Sequence, residues 1–423
     1  MTQAVRHDAM RARNLALVLG EVGAREPITR AALSEITGLT KTTVSKLVAD
    51  LIEAGLVVET GAVRDGERGR PGVAVRISGE HVAAVGLEIN VDYLAVRVVD
   101  LSRSVRLRRT QAVDNRLARP EDVAARLREM ALTAVDEAVD KGLRVVGGVV
   151  AVPGPVDLST GTLRNAPNLG WRDVPVPSLL GLPFPVRVEN EANLAALGEL
   201  WFGPGPSDFL HVSGEIGVGA GLVVGGRLFR GTHGFAGELG HVVVSPDGPA
   251  CRCGGSGCLE QYAGQDALLA AAGPSGHAPR CTRTTGSHPT AAAEPSGGAA
   301  QSTRATDSRP TAGGIASLVS RLEAGDPGAL AACRRAGWAL GVALSSAINL
   351  VDPGMIVLGG IYAPLFPWLG DHVAGTLASR LGGMRADVPP VVASRLGSEA
   401  AALGAAGQVI QRVIADPAAS LKA

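Results

Sequence analysis

Cysteine is scarce in this sequence, with five in 423 residues, and three of them fall within eight positions. That number is too small and too clustered for a disulfide framework, so a reducing, cytoplasmic setting is expected. Aromatic residues are few at 3%, while nearly half the chain is apolar and a fifth is charged, an ordinary soluble composition. Formal net charge is zero. No global field therefore draws the chain to nucleic acid or to a membrane, and any such contact must come from a local patch. Runs of about eighteen uncharged apolar residues are absent, which excludes a membrane-spanning helix. The first thirty residues scatter charges through their apolar positions and lack the core of a secretory signal. The length predicts two or three domains, each able to bury a core.

What is present begins with helical periodicity. Leu15, Val18, Leu19 and Val22 recur at i, i+3, i+4 and i+7, one apolar helix face. Thr29 is placed to cap a second helix that carries Leu33 and Ile36 inward and stops at Gly38. Thr40 is placed to cap a third, "KTTVSKLVADLIEAGL", whose apolar face is Val44, Leu47, Val48 and Leu51 and whose stop is Gly55. Its opposite face offers Thr40, Lys41, Thr42, Thr43, Ser45 and Lys46, short hydroxyls and amines suited to phosphates and base edges in a major groove. Then "LVVETGAVRDGERGRPGVAVRIS" reads as two strands around a basic loop, with Val73, Val75 and Ile77 alternating inward. Arg68 and Arg70 at the loop tip would meet a phosphate backbone or a minor groove. These features predict a winged helix-turn-helix over 1–80. A small helical interaction domain with a solvated basic loop is the alternative, since residues 1–77 hold 11 Lys/Arg against 9 Asp/Glu. The positive groups, however, gather on the third helix and the wing.

From 81 to 423 apolar runs that end in Gly, Pro or Asp alternate with helical segments. This pattern delivers polar residues to the carboxyl ends of buried strands and predicts two α/β lobes. Residues 273–314 differ: Ser, Thr, Pro, Gly and Ala dominate, and a disordered insertion is expected, with Cys281 incidental.

The segments "APNLGW", "ENEANLAALGE", "GVGAGLVVGGRLFRGTHGFAGELGH" and "CRCGGSGCLE" together make the chain resemble the ROK family of repressors, open reading frames and sugar kinases. The resemblance implies an actin-like, ribonuclease H-like pair of α/β domains with a sugar in the cleft between them. The N-terminal winged helix is similar to the repressor branch, since kinase members usually lack it.

His241, Cys251, Cys253 and Cys258 supply one imidazole and three thiolates, a donor set suited to closed tetrahedral Zn2+ of a structural kind. A redox role for the Cys-Arg-Cys pair is the alternative. By the family pattern Glu238, His241 and Glu260 touch sugar hydroxyls, and Asn190, Glu191 and Asn168 complete the pocket. Without that pattern the glutamates would read as solvated surface charges. Glu191 stands at the family's catalytic aspartate position. Where kinases of the family carry Asp-x-Gly-x-Thr, this chain has Glu88, Asn90 and Asp92. In place of Gly-Thr-Gly, "SGEIGVGAG" puts Glu215 and Ile216 before Gly217, Gly219 and Gly221. The resemblance so read implies a sugar-responsive transcriptional regulator, a repressor of carbohydrate genes that binds operator DNA as a dimer or tetramer and lacks kinase activity. A sugar kinase with a fused DNA-binding domain, or an oligomerisation scaffold with a dead pocket, are the competing readings.

Overall fold

The computed structural model describes residues 2–63, 72–273, 313–383, 385 and 387–420. Arg68 and Arg70 of the predicted wing tip lie outside the described residues, as does most of the predicted insertion with Cys281. The helix Gly313–Glu323 starts inside the span assigned to that insertion, so Gly313 and Gly314 belong to a regular element instead.

Helices Thr2–Arg25, Arg30–Thr37 and Lys41–Glu53 precede an antiparallel pair of strands, Val57–Val63 and Gly72–Ile77. The caps form as their chemistry demands. Thr29 Oγ1 accepts from the Ala32 amide at 3.2 Å, and Thr40 Oγ1 from the Thr43 amide at 3.2 Å, each satisfying an otherwise orphaned donor. Gly38 and Gly55 take positive φ and end the helices. Leu15, Val18, Leu19, Val22, Leu33, Val44, Leu47, Val48 and Leu51 are all buried.

Two expected core residues are not. Ile36 is 44% exposed. Its helix is only two turns long; Ala32 and Leu33 meet the core in the first turn, and Ile36 lies past the edge. Val73 is 43% exposed. A bulge between Thr60 and Ala62 shifts the register there, and Ala74 and Val75 are buried consecutively in place of strict alternation.

The body holds two five-stranded sheets of the same plan. In the first, the strand Val82–Ile89 has antiparallel neighbours Tyr93–Asp100 and then Val105–Ala112 on one side. On the other side lie the parallel strands Arg144–Val152 and Val186–Asn190. In the second, Phe209–Gly214 has Val218–Val224 and Arg227–Phe229 antiparallel on one side, with Ile356–Gly360 and Val391–Ala393 parallel on the other. The central strands Val82–Ile89 and Tyr93–Asp100 are buried along almost their whole length, because the helices Pro120–Asp140 and Ala400–Ala415 contact them. Helix Pro327–Val351 packs beside helix Tyr362–Leu381 in the second lobe.

The N-terminal helices are not tethered loosely to this body. Helix Thr2–Arg25 lies on the helices Ala400–Ala415 and Pro417–Ser420. One apolar core runs from Val44 and Leu47 through Leu15 and Val22 to Ile410 and Val413, and on to Val149 and Leu194 of the first lobe. Burying such a continuous core couples the orientation of the N-terminal helices to the lobe beneath. Among the described residues no helix is long and apolar enough to cross a membrane.

Candidate functional site

The strand Val186–Asn190 ends where helix Glu191–Phe202 starts, and Asn190 joins the two. Its side-chain oxygen accepts from the amides of Ala192 (3.0 Å) and Asn193 (3.1 Å), an N-cap. Its Nδ2 donates to the carbonyl of Gly154 at 3.0 Å. Asn190 thus fastens strand, helix and the turn beyond Val152. Glu191, the first helical residue, turns its carboxyl inward, where burial foremost, and then the nearby Glu88, push it up to about 8.

Across the cleft, a short helical turn Leu239–His241 carries His241, with Glu238 just before it. His241 Nε2 lies 3.9 Å from Glu238 Oε2, and its Nδ1 lies 3.9 Å from Cys251 Sγ. One ring nitrogen therefore faces the carboxylate side and the other the thiols. Cys253 and Cys258 sulfurs are 3.7 Å apart, and the four donor atoms of His241, Cys251, Cys253 and Cys258 all lie within 4.8 Å of one another. Thiolates each about 2.3 Å from a tetrahedral zinc would sit roughly 3.8 Å apart, so the spacing suits that ion. The loop can close because Gly257 takes positive φ and a side chain there would fall 1.6 Å from the Ser245 carbonyl. Burial first, then the neighbouring sulfurs, push the Cys258 thiol up to about 12, a crowding that a bound cation would relieve.

Glu260 opens the next short helix. Burial raises its carboxyl above the usual range against the opposing pull of His241. It approaches Gly217 so closely that a Cβ there would lie 2.3 Å from Glu260 Oε2.

All six residues expected at the sugar site, Asn168, Asn190, Glu191, Glu238, His241 and Glu260, line one cleft of about 1030 Å3. The structure adds residues that the sequence reading missed. Arg230 grips Glu189 through Nε (3.0 Å) and Nη2 (2.7 Å), and both line the cleft. Arg252, between two of the thiols, donates to Asn168 Oδ1 at 2.8 Å. Arg230 and Glu189 were visible beside the motifs "LFRGTHG" and "VEN", but nothing in spacing pairs residues 41 positions apart.

On the third helix Lys41, Thr42, Ser45 and Lys46 are exposed. Thr40 and Thr43 share a hydroxyl contact at 2.9 Å as part of the cap, which leaves those two less free than the sequence suggested.

The ROK family profile matches residues 84–412, and that of the MarR family matches residues 15–68. The chain belongs to the ROK family. Among its relatives, the xylose repressor of Bacillus spizizenii (strain ATCC 23059 / NRRL B-14472 / W23) is 28% identical over 405 residues, 95% of this chain and 96% of that one. The xylose repressor of Caldicellulosiruptor bescii is 34% identical over 268 residues, 62% of this chain and 66% of its own length. The crystal structure of a ROK family transcriptional regulator, a homolog of E. coli MLC, superposes with a TM-score of 0.73 at 24% identity, covering 98% of this chain and all of that one. Kinases of the family are similar too: a ROK glucokinase from Streptomyces griseus, in complex with glucose and AMPPNP, gives a TM-score of 0.60 at 27% identity. That match covers 77% of this chain and 98% of the kinase. The kinase match leaves out about a quarter of this ROK chain, whereas both the regulator structure and the Bacillus repressor match it nearly end to end. The actin-like body and the winged helix expected from sequence are thus both present.

Proposed function

We propose that this ROK protein is a sugar-responsive transcriptional regulator, a repressor of genes for carbohydrate uptake or breakdown. The observation that carries the reading is a single one: a cleft lined by all six expected residues belongs to a chain whose DNA-reading helices share a core with the lobe forming that cleft. Carboxylates and amides suit a sugar because each can bridge adjacent hydroxyls. Sugar closing the cleft changes operator affinity by its differential binding to two arrangements of the reading heads. Full-length similarity to xylose repressors makes a pentose or hexose the first effector to try.

In this reading His241, Cys251, Cys253 and Cys258 hold a structural Zn2+, and the donor set and spacing fit it. The metal supplies no reaction step; with four protein ligands it has no open position. His241 would bind it through Nδ1, leaving Nε2 for a sugar hydroxyl beside Glu238 and Glu260. Thr40, Lys41, Thr42, Thr43, Ser45 and Lys46 at the start of the third helix, with Arg68 and Arg70, would meet DNA, and a dimer or tetramer would match a two-fold operator.

The kinase reading is disfavoured by what stands at the presumed phosphate turns. Asn90 Nδ2 donates to Glu215 Oε2 at 3.3 Å, joining those turns to each other. Glu88, Asp92 and Glu215 stand at these turns in place of the small and hydroxyl residues of the kinase pattern. Gly219 and Gly221 have a second reason to be small: a Cβ would come within 2.8 and 2.5 Å of Ala192 and Ala196. Gel-shift titration on the DNA upstream of the protein's own gene, repeated with a panel of sugars, tests the regulator; turnover of ATP with the same panel tests the rival.

A further inference from the structure

Behind the cleft, between the two lobes, lies a small pocket of about 10 Å3. Glu88 from the first lobe's central strand, Glu191 from the helix start and Glu215 from the second lobe's turn all line it. Glu191 borders both this cavity and the cleft. No lysine, arginine or histidine is in the cavity wall.

Apart from the hydroxyls of Ser213 and Ser398 in its wall, the space offers its carboxyls few donors. Glu88, 2% exposed, accepts from the Tyr93 hydroxyl through Oε1 at 2.7 Å, while its Oε2 is buried with no partner. Glu215 takes the Asn90 amide described above. The charged and titratable groups around the cavity do not repair the shortage. Arg97 influences Glu88 through space, but its guanidinium is committed to Glu399, Thr110 and the carbonyls of Val96 and Arg109. Asp92 adds a further negative charge near Glu215 and is itself held by Arg116 and Gln265, each at 2.8 Å. The Asn90 side chain and the Ala402 backbone of helix Ala400–Ala415 act on Glu88 as further hydrogen-bonding groups, too weakly to offset its burial. Tyr362, on the second lobe, spends its hydroxyl on the Ala263 carbonyl.

Three carboxyl groups around one small pocket, with no cation in its wall, resist being ionised together, because like charges repel more strongly where they are poorly solvated. We propose that Glu88, Glu191 and Glu215 form a proton-binding site shared by the two lobes, a latch that holds them together while it is protonated and loosens as it ionises. An unpartnered, fully buried carboxyl oxygen is what a carboxylic acid can tolerate and a carboxylate cannot.

Burial is the main cause that pushes Glu88 up to about 7 and Glu191 to about 8, and Glu215 moves the same way. With the lobes apart, water would return each carboxyl to its ordinary value of 4.5. The joined lobes thus keep protons that separated lobes have released. Their association is strongest in acid and weakens as pH rises from 4.5 toward 8, by up to about tenfold per pH unit for each proton. Whatever enters the cleft meets Glu191, and with it one wall of the latch.

Infrared difference spectroscopy on the full-length, zinc-loaded protein, without DNA or sugar, reads protonated carboxyl groups directly. The wild type is expected to show a carboxylic-acid carbonyl band at about pH 6 that fades by about pH 9. The Glu88→Gln/Glu215→Gln variant is expected to lose most of it. In parallel, exchange of the Asn90 and Glu215 amides, corrected for intrinsic rates, should accelerate with pH in the wild type and stay slow in the variant. If the variant does not fold, the fading band and the exchange profile of the wild type decide. Absence of the band at pH 6 overturns the proposal. So does a second bound cation, other than zinc, found by elemental analysis of the wild type and lost from the variant.

Discussion

Arg252, the residue between two of the clustered thiols, reaches across the cleft to Asn168, Nη1 to Oδ1 at 2.8 Å. The contact joins the metal-type loop of the second lobe to a loop of the first. A cluster of thiols far from any chemistry would have no reason to carry such a bridge; here the bridge spans the mouth of the cleft. Replacing Arg252 with Ala is expected to remove one charge-assisted hydrogen bond, worth about 1.5–3 kcal/mol, from the closed form. Sugar affinity measured by calorimetry should fall on the order of tenfold while metal content stays unchanged. Unaltered affinity would remove the bridge from the account.

Metal removal should act more broadly. With Cys258→Ser, or after chelation, the loop loses the brace that orients His241. Sugar binding is expected to fall by at least the 10–100-fold typical of lost support around a metal site. Intact sugar affinity in metal-free protein, verified by elemental analysis, would separate the cluster from the cleft.

On the reading helix, Lys46→Ala should weaken DNA binding about equally on specific and unrelated sequences and lower the salt-dependence slope by about one. Lys46 is exposed there beside Ser45. A change confined to one base position, with the slope intact, would mean that Lys46 reads a base instead.

Stability should respond to pH through Glu191. Its folded-state value of about 8 lies above the ordinary 4.5, so the unfolded chain loses its proton first. Between pH 4.5 and 8 the folded state is therefore progressively disfavoured, by up to about 1.4 kcal/mol per pH unit. Glu191→Gln should flatten this part of the stability profile, followed by thermal unfolding across that range. An identical slope in wild type and variant would contradict the assignment.

Packing of the first lobe offers a test independent of any ligand. A side chain at Gly86 would come 1.8 Å from the Ala402 carbonyl, which belongs to the helix that supports the N-terminal domain. Gly86→Ala is expected to destabilise the protein by about 3 kcal/mol or more, read by denaturant titration. A small effect would mean that the helix can slide on the sheet.

Local signals carried well from sequence to structure. The caps Thr29 and Thr40, the i, i+3, i+4 stripe of helix Thr2–Arg25 and the His/Cys cluster depend on neighbours only a few residues away, or on a donor set with one obvious use. Ile36 and Val73 misled because pattern alone cannot show where a core ends or where a bulge shifts a strand. The pairs Arg230–Glu189 and Arg252–Asn168 bring together residues from different lobes, and the gathering of Glu88, Glu191 and Glu215 likewise follows from how the lobes close. Each glutamate could be singled out in the sequence as a departure from the kinase pattern. That the three share one cavity needed the fold.

The central claim is that filling the cleft with sugar changes how this ROK protein holds DNA, without phosphorylating the sugar. Fluorescence anisotropy on labelled upstream DNA, titrated in the presence of each of a panel of pentoses and hexoses and again with magnesium-ATP added, tests it most directly. The account predicts at least one sugar that shifts operator affinity by roughly 5- to 150-fold, with or without ATP and with the sugar recovered unchanged. Operator affinity indifferent to every sugar, or a shift that requires ATP and yields a sugar phosphate, would contradict it.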